Sequence, residues 1–187
     1  MTEPSFAPEQ AVSVQLGKLI RDVPDYPQPG VVFKDITPLL ADAEGFAATI
    51  AALADGQVGA DGQVAIDKVA GIEARGFILA APVACRLGVG FVPVRKLGKL
   101  PGPTHSESYE LEYGTAAVEV KTDAFAPGER VLLIDDVLAT GGTAAATAAL
   151  IRRCGAEVTS LAVLIELGFL GGRSSLPDLD VRALITM

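Results

Sequence analysis

The sequence predicts an α/β fold, an open doubly wound parallel sheet, on three observations. Continuous apolar segments recur at KVAGIE 68–73, GFVPVRK 90–96, RVLLIDD 130–136 and VTSLAVLIEL 158–167. They alternate with helical stretches, FILAAPVACRLG at 77–88 and TAAATAALIRRCG at 143–155. Strands apolar on both faces need helices on both sides of the sheet, which is the parallel, doubly covered arrangement. The 187 residues are 50% hydrophobic, so one domain of this length can bury its own core without disulfide or metal staples.

Taken in order, Val12, Leu16, Leu19 and Ile20 fall at helical spacing. Asp22, Pro24, Pro27, Pro29 and Gly30 end that pattern in a proline-rich loop. Asp42 is placed to cap a second helix, whose Phe46, Ile50 and Leu53 repeat up to Gly56. VRALIT at 181–186 reads as a last strand. LGKLPGPTHSES at 97–108 breaks the rhythm: it is too polar for the core and long for a connection, and it reads as a mobile loop over an active site. YELEYG 109–114 and AAVEVKT 116–122 alternate apolar and polar residues around Gly114-Thr115, the pattern of a hairpin.

Composition excludes several classes of function. A net charge of −8 argues against nucleic acid as a partner, because such proteins carry a basic footprint. Cys85 and Cys154 stand far apart without a C-x-x-C or a histidine cluster, so they read as buried free thiols. The start, MTEPSFAPEQ, lacks the basic and apolar regions of a secretory signal, and the apolar runs are shorter than the ~20 residues of a membrane span. A cytoplasmic protein without membrane contact is expected.

The chemistry is concentrated in VLLIDDVLATGGT at 131–143. A buried strand ends in two acids, Asp135 and Asp136, and the turn Ala139-Thr140-Gly141-Gly142-Thr143 leads straight into a helix. Ligands of open α/β sheets sit beyond the carboxyl ends of the strands. A glycine-rich turn entering a helix offers free N–H groups and the positive end of the helix dipole to a phosphate. Two carboxylates beside a phosphate would repel it unless they bind sugar hydroxyls or offset a cation, so a ribose phosphate meets both demands. Neither G-x-x-x-x-G-K-[ST] nor a strand followed by G-x-G-x-x-G occurs. Arg75, Arg95, Lys96 and Lys99 are suited to stabilising a departing polyanion. Lone His105 reads as exposed and incidental.

VLLIDDVLATGGT resembles the phosphoribosyl pyrophosphate (PRPP) motif of the type I phosphoribosyltransferases. DYPQPGVVFKDITPLL at 25–40, GIEARGF at 71–77 and VRKLGKLPGPTHSESYELEYG at 94–114 are similar to signatures of the branch that uses adenine. The resemblance runs from about residue 12 to about residue 170. It implies a single domain, 1–187, with a small N-terminal helix and base-binding hood at about 9–40, a PRPP-binding core at about 60–187, and a flexible loop and hairpin over the site. It implies a purine salvage reaction in which adenine and PRPP give AMP and pyrophosphate, with Mg²⁺ required but carried by PRPP rather than by protein ligands, in a homodimer.

Residue roles follow from the same resemblance. Asp135 and Asp136 match the acids over the ribose hydroxyls, and Ala139, Thr140, Gly141, Gly142 and Thr143 match the 5′-phosphate loop. Arg75, Arg95 and Lys99 match residues that meet pyrophosphate, Arg95 across the dimer interface, and the peptide before the arginine of the Arg75 loop is often cis in the family. Val32 and Lys34, with Phe33 between them, match the segment whose backbone reads adenine, although arginine is common at the position of Lys34. Val137 matches a residue covering the other face of the base. Glu112 matches the glutamate that acts as acid or base toward adenine N7; strand alternation alone leaves Glu110 equally placed.

Two other readings of the residues remain. A PRPP-sensing regulator would call for a basic, DNA-binding face, which the sequence does not display. Relatives acting on 6-oxopurines usually read the base with a late lysine or other donor, and no lysine follows residue 158.

Overall fold

The computed structural model describes residues 8–110 and 114–187. Packing divides the chain into two units, Met1–Ala52 and Leu53–Met187.

The N-terminal unit carries helix α1 (Pro8–Gly17), strands β1 (Arg21–Pro24) and β2 (Val32–Asp35), helix α2 (Thr37–Ala41) and most of helix α3 (Ala43–Ala54). Leu19 and Ile20 lie past the end of α1. The expected proline-rich loop is instead a short antiparallel hairpin, in which Arg21 pairs with Asp35 and Pro24 with Val32. Its connection is held by backbone bonds from Tyr26 to Val31 O and from Val31 to Gln28 O, and by Gly30, which donates its N–H to Asp25 Oδ1 at 2.8 Å. Tyr26–Pro27 is cis. Asp42 does cap α3, accepting the Gly45 N–H at 2.7 Å.

The second unit holds β3 (Lys68–Ile72), α4 (Arg75–Leu87), β4 (Gly90–Lys96), β5 (Thr104–Glu110), β6 (Thr115–Lys121), β7 (Arg130–Leu138), α5 (Gly142–Arg153), β8 (Glu157–Glu166) and β9 (Asp180–Thr186). The sheet runs β5-β6-β4-β3-β7-β8-β9. Strands β4, β3, β7, β8 and β9 are mutually parallel, and β6 and β5 extend the β4 edge antiparallel. Alternation sorts the side chains to two faces. Ala70, Ile72, Val131, Leu133, Leu161 and Val163 pack in one cluster with Leu150 and Ile151 of α5. Val69, Leu132 and Ile134, also buried, point the other way, toward the α4 side. The sheet is thus covered on both faces.

Chain order fixes where a ligand fits. From β3 the chain moves to β4 on one side, then returns to β7 on the other. The crevice at such a reversal opens beyond the carboxyl ends of β3 and β7, where the two connections diverge.

Two further expectations need correction. The polar segment 97–108 is a loop only as far as Pro103, because Thr104 already pairs with Lys121 and the ladder continues to Glu110 opposite Thr115. An outermost strand can leave one face in water, so its polar composition does not prevent pairing. Neither cysteine is buried: Cys85 is exposed and Cys154 is intermediate. On α4 the inward face is taken by Leu79, Ala80, Val83 and Ala84, which turns Cys85 outward.

Candidate active site

The connection after β7 forms a pocket of about 80 Å³ lined by Asp135, Val137 and the loop from Leu138 to Ala144. Gly141 is the N-cap of α5 at φ +84, with no side-chain cap on the helix. The first N–H groups of α5 therefore remain for a ligand. The glycine is required twice over. Its φ suits glycine, and a Cβ there would collide with Gly172 O.

That collision exposes a support the sequence reading did not find. The turn Gly172–Ser175 lies directly behind the loop: a Cβ on Gly172 would strike Ala139 O, and Ser175 Oγ donates to Thr140 O at 2.9 Å. With the Thr140 carbonyl bonded from behind and Gly172 packed against the Ala139 carbonyl, the loop is braced by this turn. The turn is anchored by Arg173, which donates from Nε and Nη2 to the two oxygens of Glu166 at 2.7 and 2.8 Å. The paired glycines Gly171 and Gly172 were the available signal, since a close backbone approach calls for glycine.

The acid pair stands at the crevice. Asp135 Oδ1 accepts the Asp136 N–H at 2.8 Å, and Asp136 Oδ2 lies 2.7 Å from Arg75 Nε. Burial, followed by the charge of Asp136, pushes the Asp135 carboxyl well above the usual range. Burial also raises Asp136, against the pull of Arg75. Gly76, just after Arg75, is where α4 passes the pair: a Cβ would sit 3.0 Å from Asp135 Oδ1 and from Ile134 O.

A group whose folded pKa is raised favours folding at pH values below its unfolded pKa, near 3.8 for Asp135, and that contribution is lost as pH rises through the folded value. Asp135→Asn removes the buried charge while keeping an oxygen for the Asp136 N–H. It is therefore expected to raise the melting temperature at neutral pH, with a gain that shrinks on acidification, while lowering turnover. Melting curves across pH and activity measured side by side check this.

Arg75 opens α4 at the end of β3, and the cis peptide lies at Glu73–Ala74, one bond ahead of the Ala74–Arg75 peptide. Glu73 ties this loop to the next strand, accepting the Lys96 N–H at 2.8 Å and Arg95 Nε at 3.4 Å. Its carboxyl is held below the usual range, where burial is outweighed by those donors. Arg95 also donates from Nη1 to Lys99 O at 3.1 Å. Arg95 and the Lys99 backbone are thus tied to Glu73, at the start of the loop that leads into Arg75, and Arg75 itself meets the acid pair.

Val32, Phe33 and Lys34 form part of β2 in the N-terminal unit. Phe33 meets Tyr26 edge-on at 5.2 Å, and Lys34 Nζ pairs with Asp22 Oδ1 at 2.6 Å. Val32 is exposed. Glu112 lies outside the described residues, while Glu110 is exposed on β5. His105 is exposed, as expected. Among the described residues no group of three or more His, Cys, Asp or Glu side chains forms a metal cage, and no helix is long and apolar enough to cross a membrane.

A doubly wound sheet with an acid pair and a glycine-rich loop at its switch point defines a phosphoribosyltransferase, and comparison agrees. The phosphoribosyl transferase domain model matches residues 39–181. An adenine phosphoribosyltransferase of Streptomyces coelicolor is 61% identical, with all of both chains covered. The crystal structure of the Thermoanaerobacter pseudethanolicus adenine phosphoribosyltransferase superposes with a TM-score of 0.87 at 48% identity, covering 94% of this chain and 99% of that one. A Trypanosoma brucei adenine phosphoribosyltransferase in complex with AMP, pyrophosphate and ribose-5-phosphate superposes at 0.86 with 26% identity, covering 99% and 82%. The chain belongs to the adenine phosphoribosyltransferase family.

Proposed function

We propose that this chain transfers the 5-phosphoribosyl group of PRPP to adenine, giving AMP and pyrophosphate in purine salvage. The observation that carries the reading is the switch-point crevice, where an uncapped helix start, a carboxylate pair and Arg75 converge. The family's relatives at about 60% identity carry the choice of base.

In this reading the loop Ala139–Thr143 receives the 5′-phosphate, and Asp135 and Asp136 accept the ribose hydroxyls. Arg75, Arg95 and Lys99 hold the pyrophosphate. The N9–C1′ bond forms as the C1′–O bond breaks, and pyrophosphate leaves with the electron pair. The ribose passes through an oxocarbenium-like state, so fixed positive charge beside the leaving group lowers the barrier. The β2 backbone at Val32, Phe33 and Lys34 reads adenine, Val137 covers the base, and Glu112 takes the proton from N7.

A divalent cation fits the acid pair, because adjacent carboxylates that burial disfavours as anions are eased by positive charge on the substrate. Mg²⁺ held by PRPP oxygens would face Asp135 and Asp136 and would offset the charge of the departing pyrophosphate. The working form is a cytoplasmic homodimer, one domain per chain, with hood about 9–40 and core about 60–187.

The test is pyrophosphate release with PRPP and Mg²⁺ against adenine, hypoxanthine, guanine, xanthine and orotate. Turnover with adenine alone supports the reading. Equal or faster turnover with a 6-oxopurine would reassign the base.

A further inference from the structure

Glu119 is a charged residue in the interior, 2% exposed, and alternation within AAVEVKT would have turned it outward between the buried Val118 and Val120. It stands on β6 opposite Arg95 of β4. Partners directly opposite in an antiparallel pair share a face of the sheet. Its Oε1 accepts the N–H groups of Lys99 and Leu100, both at 2.8 Å, and its Oε2 accepts Thr104 Oγ1 at 3.2 Å. Gly98, at φ +82, turns the chain so that successive N–H groups converge on one carboxylate, the geometry of an anion-binding nest. Arg95 takes the other side of the same residue by donating to Lys99 O. The backbone of Lys99 is therefore gripped at its N–H by Glu119 and at its C=O by Arg95, while its side chain is exposed and forms no ion pair among the described residues.

We infer that Glu119 is a positioning residue for pyrophosphate binding: its buried carboxylate fixes the Gly98–Leu100 nest so that the Lys99 ammonium is presented to the leaving group. The inference rests on the function proposed above, in which Lys99 meets pyrophosphate. Burial alone would push the Glu119 carboxyl up, yet the N–H groups of Leu100, Lys99 and Gly98 hold it below the usual range. It therefore stays an acceptor through neutral pH. Filling the nest from within the chain orders the loop before substrate arrives, so less ordering is left to be done on binding.

The experiment compares Glu119→Ala with Glu119→Gln in the full chain, reading titrations with pyrophosphate and AMP, KM values for PRPP and adenine, and amide hydrogen exchange at Lys99 and Leu100. Misplacing a charged group by about an ångström costs roughly 10–100-fold. Glu119→Ala is expected to weaken pyrophosphate binding and raise the PRPP KM by that order, leave AMP binding and the adenine KM within about twofold, and deprotect both amides. Glu119→Gln keeps an oxygen in the nest and is expected to restore most of the binding.

Unchanged pyrophosphate affinity in Glu119→Ala overturns the inference. So does a uniform loss for AMP and pyrophosphate alike, or failure of Glu119→Gln alongside Glu119→Ala, because either marks a merely structural role. If Glu119→Ala does not fold, exchange in the unsubstituted chain and the Glu119→Gln titration decide: unprotected Lys99 and Leu100 amides, or a Gln variant as weak as an unfolded one, overturn it. A chain that binds pyrophosphate with this pattern yet turns over no base would bring down the proposed function and leave the anchor standing.

Discussion

Gly141→Ala is expected to lower kcat/KM for PRPP by on the order of 100-fold or more, through displacement of the phosphate loop. The residue sits at φ +84, where its own Cβ would meet Gly172 O. A non-glycine residue held there costs about 1–3 kcal/mol even in open space. The collision is with backbone, which cannot rotate away as a side chain could, so the loop must move off the Gly172–Ser175 turn. That movement breaks the Ser175–Thr140 hydrogen bond and redirects the first N–H groups of α5. In the proposed reading the phosphate contacts exist in both ground and transition states, so the loss should appear in the PRPP KM and in AMP binding together. The adenine KM, governed by other residues in the proposed reading, should change much less. Steady-state kinetics with each substrate varied in turn distinguishes this pattern from general loss of folded protein.

With Arg75 holding pyrophosphate as proposed, Arg75→Ala is expected to cost roughly 100–1,000-fold in turnover, the usual consequence of removing a charged donor from a developing anion. It also strips Asp136 of the cation 2.7 Å from its Oδ2. With that pull gone, burial pushes the Asp136 carboxyl further up, and the acid limb of the pH–rate profile should move to higher pH. In the proposed reading the ionised pair is the form that meets the substrate, which sets the sign: protonation removes it, and in the variant protonation begins sooner on acidification. The stability cost should fall below the ~3–5 kcal/mol of breaking a fully buried ion pair, because the Arg75 side chain is 35% exposed and Asp136 can take up a proton. Arg75→Lys keeps the charge but loses the planar fork. It should recover the pH profile better than the rate.

The parts of this molecule that were readable from sequence are those written in consecutive residues. In VLLIDDVLATGGT the strand, its carboxyl end, the turn and the helix start follow one another without interruption, so the pattern places Asp135 and Gly141 together at the carboxyl end of one strand before any tertiary contact is known. The same holds for GIEARGF, where Gly76 allows the close approach to Ile134 and Asp135. What escaped was non-local or against pattern. The β1–β2 hairpin is too short and proline-rich to show a period, and β5 is a polar outer strand with no apolar face to announce it. Glu119 breaks alternation because its partners come from a loop some twenty residues earlier. The Ser175 contact with Thr140 joins segments whose proximity only the assembled sheet produces.

The most direct test of the account is a single reaction containing adenine, PRPP, Mg²⁺ and the full chain, with AMP and pyrophosphate quantified together over time. The account predicts that the two accumulate in equal amounts and that hypoxanthine in place of adenine gives neither. Pyrophosphate formed without AMP, or a nucleotide formed faster from another base, would contradict it.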